Sequence, residues 1–395
     1  MFISSVDIYC RRFTLEIAVS SRQPTAHLTL LTPPWSLPKY FLLAPFCPLS
    51  SHIFLFAILN VVFNMSTINS SIRQIDDQSW LIEGSLLLCR QQIPSSDLAS
   101  WSDGNGGFYV LSSSSKPPSE TQPLRDASEI QKVYDAGAVS AVWRVGEAFI
   151  KLKKLITPNA TREHTTLQYL RNKQPLDFHI PDVYYHSDLG DRYLIVLGRV
   201  PGRTLNEIWY ELGETKQQEC VRRIAKICME LSTWEGETIS GVDGKRLTDQ
   251  FLEKSTDEMS FDPGRLLENC KKIGMDCSFS VFYHADLGPG NILLDEMDGS
   301  ISIIDWETVG YVPKDWIRTK FHCSSGMDLP ERAGDILPTD WRVRVARELA
   351  RLGFRPRSSA VIASTLGGTG HIIVAALAAV DFVDERTVVG NGHFG

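Results

Sequence analysis

Apolar positions along this 395-residue chain change their period from one half to the other. Val133 to Val145 reads as strand, turn, strand with Gly137 at the turn, and Glu147 to Leu152 reads as a further short strand. Tyr193–Leu197 (YLIVL) is a continuous apolar run of the length of a buried strand. Between them, Thr157 to Leu170 opens on a helix-start signal, with Glu163, Leu167 and Leu170 on one face at i, i+4 and i+7. Beyond residue 200 the helical period takes over. Helices are predicted over Leu205–Leu212, Gln217–Trp234 (apolar stripe Val221, Ile224, Cys228, Leu231), Leu247–Glu253, Arg265–Lys272 and Pro338–Leu352. Leu293 and Leu294, a turn at Asp298-Gly299, and Ile301, Ile303 and Ile304 read as a hairpin.

The flanks break this pattern. Residues 1–75 hold several prolines, almost no charge after Ala26, and an apolar run from His52 to Phe63. A membrane helix needs about 20 apolar residues, and extending this run back to Tyr40 takes in Pro45, Pro48, Ser50 and Ser51. The run is nearer a signal-peptide core or a buried segment in length; a membrane anchor stays open, as does a true start at Met65 with the preceding residues the product of a faulty gene model. Residues 76–129 read as a polar, loop-rich segment and linker, with one isolated strand at Phe108–Leu111. A nucleotide lobe over 130–200 and a catalytic lobe over 201–352 follow. From 353 to 395 the tail is atypical, with no charge over Ser358–Val380 and a Gly367-Gly368-Thr369-Gly370 run. No strand-turn-helix pattern makes that run a phosphate loop, so the tail reads as a packed helix pair or an erroneous terminus.

Composition is that of an ordinary globular chain, 43% hydrophobic and 22% charged. The net charge of -7 disfavours a nucleic-acid partner, because it offers no basic face. Eight cysteines without a C-x-x-C pair fit free thiols in a reducing compartment, hence the cytoplasm. Oligomeric state leaves no mark in the sequence.

The chemistry concentrates in Val281–Trp316. His284, Asp286 and Asn291 form H-x-D-x-x-x-x-N, and the strand after the hairpin turn ends on Asp305. Phosphoryl transfer from ATP needs one carboxylate to orient and deprotonate the acceptor hydroxyl, plus oxygen ligands for Mg2+. Asp286 suits the first role, beside His284 in the catalytic loop, and Asn291 and Asp305 suit the second. A lone Asp or Asn in a loop is usually a cap or turn former. Four such residues in order, on loops flanking apolar strands, favour catalysis.

HADLGPGNILLD, followed by IIDWE and GYVPKDW, resembles the aminoglycoside phosphotransferase and choline kinase group of protein-kinase-like enzymes, in a fungal-type version. The resemblance spans about residues 130–352. It implies an α+β, two-lobed protein-kinase-like fold, with a small strand-rich N-lobe, a larger helical C-lobe and irregular extensions at both ends. It also implies ATP and Mg2+ as cofactors and a small-molecule hydroxyl acceptor. Ala285 stands where protein kinases carry Arg, Asp305-Trp306-Glu307 replaces Asp-Phe-Gly, and no Ala-Pro-Glu segment follows, which argues against a protein substrate. Lys151, closing an apolar strand, takes the position of the phosphate-pairing lysine, with Lys153 the alternative one pleat on. On local grounds Glu163 either complements the helix dipole or pairs with Lys151, and the resemblance favours the pair. The turn at Gly137, with the Ser140 hydroxyl, can present donors to phosphates. Two rivals from other classes are a nucleotide-binding pseudokinase used as an interaction module and a membrane-anchored protein with a secondary kinase-like domain.

Overall fold

The computed structural model describes residues 15–18, 27–30, 67–116, 118, 120–125, 129–253, 260–332 and 336–355. The chain divides into two units at Met65/Ser66. In the first, Leu15–Ala18 pairs antiparallel with His27–Leu30. The apolar run His52–Phe63 and the tail beyond residue 355 lie outside the described residues. Among the described residues, no helix is long and apolar enough to cross a membrane.

The second unit holds the lobes. Its N-lobe sheet comprises β1 (Ile130–Asp135), β2 (Ser140–Val145), β3 (Ala148–Lys154), β4 (Val183–Leu189) and β5 (Arg192–Gly198), in the antiparallel order β4-β5-β3-β2-β1. Alternation sets its two faces. Ala141, Trp143, Val145, Ala148, Ile150, Leu152, Leu194 and Val196 point to one side, where they are buried. Tyr193, Ile195 and Leu197 point to the other, against Leu167 and Leu170 of α1 (Glu163–Arg171) and the core of the C-lobe.

The first of these faces is covered by a sheet where a loop-rich segment is expected. Six antiparallel strands, in the spatial order 99–102, 108–113, 86–91, 79–82, 72–74 and 122–123, lie across it. Trp80, Leu86, Leu88, Trp101, Tyr109 and Leu111 share a core with Trp143, Val145, Ile150 and Val196. Arg192 of β5 pins the seam, reaching Glu83 at 2.5 Å and Ser71 Oγ at 3.0 Å. The strands are two to six residues long and set between polar turns, so their alternation is too brief to outweigh a polar composition. Only Phe108–Ser113 is anticipated in place. Trp80 is 1% exposed. Trp80→Ala should therefore remove about 3–5 kcal/mol of stability, read as a lower urea midpoint at unchanged m. A loss within about 0.5 kcal/mol, as for a surface position, would refute a shared inter-sheet core.

The C-lobe helices are α2 (Glu214–Leu231), α3 (Pro263–Lys272), α4 (Lys314–Cys323) and α5 (Asp340–Arg351). Val221, Ile224, Cys228 and Leu231 form the buried stripe of α2 as the period implies. Leu205–Ile208 is a single helical turn opened by a capping box of Thr204 and Glu207 and followed by a 3-10 turn. The predicted helix at Leu247–Glu253 does not form. There Asp249, fully buried, bonds Phe251 N–H, the Trp316 indole and Lys320, holding the backbone out of helical geometry. Two three-stranded antiparallel sheets complete the lobe among the described residues: β6 (Ser280–His284) lies between Glu235–Gly236 and β9 (Val309–Val312), and β7 (Ile292–Leu294) lies between Arg203–Thr204 and β8 (Ile301–Ile303). A strand-rich lobe before a helix-rich lobe is the α+β arrangement expected.

Candidate active site

β3 sends Ala148, Ile150 and Leu152 into the inter-sheet core, so Lys151 and Lys153 face the other way. A half-buried ammonium needs anionic partners, and Lys151 has three. Glu163 Oε2 lies at 3.1 Å, Glu307 Oε2 at 2.8 Å, and Asp305 Oδ1 in closer contact. Among the described residues Lys153 pairs only with Glu307, at 3.0 Å. Burial alone would drive the proton from Lys151, but Asp305, Glu163 and Glu307 outweigh it and hold the ammonium well above its ordinary pKa. Burial likewise opposes charge on Glu307, yet Lys151 and Lys153 bring its carboxyl down to about 2. At Glu163 burial prevails and the pKa rises.

Glu163 opens α1 and points inward with Leu167 and Leu170, all buried. Its second oxygen, Oε1, accepts the Trp306 N–H at 3.1 Å. One side chain thus ties β3 to the chain just past β8. The expected ion pair is present, and removing either partner leaves a buried charge short of a partner. Lys151→Met and Glu163→Gln should each reduce kcat/KM, and the double variant should lose less than the sum of the two in free energy. Additive losses would mean that the two side chains act independently.

The β7–β8 hairpin pairs Ile292 with Ile303, and Ile304 N–H donates to Asn291 O at 3.0 Å. Asn291 and Asp305 are thereby brought to adjacent backbone. Asp305 has φ 62°, a left-handed conformation that Asn, Asp and Gly tolerate best. Strain of this kind collects at functional sites.

His284 ends β6 fully buried. Asp286 N–H donates to its Nδ1 at 3.2 Å, so the ring proton sits on Nε2, which donates to Ile304 O at 3.1 Å. Burial lowers its pKa and keeps the ring neutral. With both nitrogens used by main chain, His284 braces the Asp286 loop against the Asp305 turn, a positioning role where a catalytic one is expected. Trp306 packs edge-on to the ring at 4.8 Å. Asn291 Nδ2 donates to Asp286 O at 2.8 Å and to Asp286 Oδ2 at 3.1 Å. Burial, and then the Asp305 charge, push the Asp286 carboxyl up to about 6.

The hairpin tip stands apart from this cluster. Gly137, at φ 66°, gives its N–H to Asp135 Oδ1 at 2.8 Å, and no hydrogen bond joins it to the Lys151 cluster among the described residues. Ser140 lies opposite Lys153 in the β2–β3 ladder, which puts it on the face of the sheet that carries both lysines. At the lobe junction, Gly198 N–H and Arg199 N–H are taken by Asp182 O and Glu147 O.

Sequence reasoning missed two features. Glu307 completes an acidic set with Glu163 and Asp305 whose oxygens lie within 4.8 Å of one another. Its spacing, two residues past Asp305, was the available signal. The fully buried Asp249 bonds Lys320 at 2.6 Å, and the two act on the Asp286 carboxyl, Lys320 lowering and Asp249 raising its pKa. They lie 71 residues apart, so no local pattern reveals them.

Residues 131–313 match the model of the family described as "Phosphotransferase enzyme family". No curated protein matches the chain. Among solved structures, the streptomycin–ATP ternary complex of APH(2")-IIa aligns at 16% identity over 67% of this chain and 86% of its own, with a TM-score of 0.39. A thermostable mutant of aminoglycoside phosphotransferase APH(4)-Ia, in ternary complex with AMP-PNP and hygromycin B, aligns at 16% identity over 67% of this chain and 95% of its own, with a TM-score of 0.42. Aminoglycoside-3'-phosphotransferase of type VIII aligns at 16% identity over 63% and 93%, with a TM-score of 0.37. The resemblance carried by the stretch Val281–Trp316 is borne out by the family match, which spans residues 131–313 of this chain.

Proposed function

We infer that the protein transfers the γ-phosphoryl group of ATP to a hydroxyl of a small molecule. The observation that carries this reading is the joining of two half-sites by backbone. The Asp286–Asn291 loop hydrogen-bonds the turn that presents Asp305, and Asp305 meets the Lys151–Glu163 pair. Asp286 takes the acceptor's proton as the new O–P bond forms, and a carboxyl poised near 6 is ionised at neutral pH yet basic enough to accept it. Lys151, steadied by Glu163, holds the phosphates. Carboxylate and amide oxygens are the donor set a hard divalent cation takes, and the acidic cluster fits Mg2+ on that ground. Asp305 and Asn291 would hold it, Asn291 through the amide oxygen left over when its NH2 bonds Asp286. When bound, Mg2+ neutralises charge on the phosphate oxygens.

The test is a screen of hydroxylated metabolites, amino alcohols and aminoglycosides with γ-labelled ATP. Mg2+-dependent transfer of label to an acceptor is the expected result. Binding of ATP without transfer to any acceptor, or to water, would sink the enzymatic reading.

A further inference from the structure

The seam between the six-stranded sheet and the N-lobe opens into a cleft of about 480 Å3 that shares no residue with the Lys151–Asp286 site. Its floor is apolar: Ile72, Ile130 and Trp143 are each at most 3% exposed. Its rim carries three cations from three separate segments, Arg73, Arg125 and Lys132. In a chain of net charge -7 such a grouping stands out.

Arg73 is the distinctive member. Its Nε donates to Thr121 Oγ1 at 2.7 Å and its Nη2 to Thr121 O at 2.9 Å. Both partners are neutral, and Arg73 forms no ion pair among the described residues. The guanidinium is thus fixed in direction, with no carboxylate on it among the described residues, which is the state of a preset anion receptor. The other two cations have surface partners, Arg125 with Asp77 at 3.2 Å and Lys132 with Asp135 at 2.6 Å. Exposed pairs of this kind contribute little and exchange readily for a ligand. Among the described residues, the three rim cations face two paired carboxylates, and Arg73 is the cation without one.

We propose that this cleft binds a small soluble organic anion, its carboxylate or phosphate on Arg73 and its apolar body over Ile72, Ile130 and Trp143. The volume lies in the range of small-molecule pockets, about 300–1,000 Å3. The occupant would grip β1 at Ile130–Lys132, the root of the hairpin whose tip is Gly137.

Calorimetry on the full chain tests this with phenyl phosphate, which joins an anion to an apolar body, and with inorganic phosphate and benzyl alcohol, which each supply one half. Phenyl phosphate should bind more tightly than either. Arg73→Gln should weaken it at least about tenfold, since a hydrogen bond to a charged group contributes about 1.5–3 kcal/mol and 1.4 kcal/mol is a factor of ten. Lys151→Met, which disables the nucleotide side, should leave its affinity unchanged. Hydrogen exchange of the 130–135 amides should slow when it binds. Absence of binding at millimolar phenyl phosphate, equal affinity in Arg73→Gln, or loss of binding in Lys151→Met would each overturn the proposal. If Arg73→Gln does not fold, the double variant of the exposed rim residues, Arg125→Gln with Lys132→Gln, replaces it, and an unchanged affinity there overturns the proposal equally. Co-sedimentation with phosphatidic acid vesicles, with no binding of phenyl phosphate, would assign the cations to a membrane surface instead.

Discussion

Asp305→Ala is expected to abolish the Mg2+-dependent part of ATP binding. Asp305 is the carboxylate at the meeting point of both lobes, in contact with Lys151 and borne on backbone tied to Asn291. Outer-shell partners of a metal contribute about 10–100-fold in affinity, so loss of a direct ligand should exceed that. Lys151 keeps Glu163 and Glu307 in the variant, which limits collateral damage. The left-handed φ of 62° makes alanine a strained choice, and Asp305→Asn, tolerant of that conformation, separates strain from loss of the anionic ligand. Calorimetry with and without Mg2+ should give two similar, weak affinities for either variant. A wild-type gain on adding Mg2+ would remove Asp305 from the metal site.

The catalytic stretch was legible because its chemistry is local in sequence. His284, Asp286, Asn291 and Asp305 sit within 22 positions, on loops between short apolar strands, and a hairpin of that length has little freedom to do anything except bring Asn291 to Asp305. Lys151 and Glu163 were legible for a different reason. Each is a charged residue at the inward phase of an apolar period, and a charge placed there requires a partner.

What the sequence hid is non-local. The six-stranded sheet owes its existence to the far face of β2, β3 and β5, which alternation leaves apolar and which needs a cover. Read by itself, residues 72–123 is too polar and too finely divided to announce strands. Asp249 was misread because a segment with helical period gave this fully buried carboxylate to Lys320 and Trp316. His284 looked catalytic by position, and only the two main-chain contacts of its ring distinguish bracing from proton transfer.

Asp286→Asn should lower phosphoryl transfer at least about a hundredfold, the low end of what a general base contributes, while leaving ATP affinity within a few-fold. The separation follows from the contacts. Asp286 touches Asn291 and rests on His284, but makes no ion pair with Lys151, which belongs to Glu163, Asp305 and Glu307. Asparagine keeps the size and the hydrogen-bonding reach of the side chain, so the loop braced by His284 should hold its place. What disappears is a carboxylate that burial and the Asp305 charge have raised to about 6, and with it the proposed acceptor for the substrate's proton. KM for ATP should therefore stay near its wild-type value while kcat falls, the pattern of an interaction made only in the transition state. Single-turnover measurements with whichever acceptor the screen identifies would read this directly. A wild-type rate in Asp286→Asn would make the carboxylate structural and refute general-base transfer at this site.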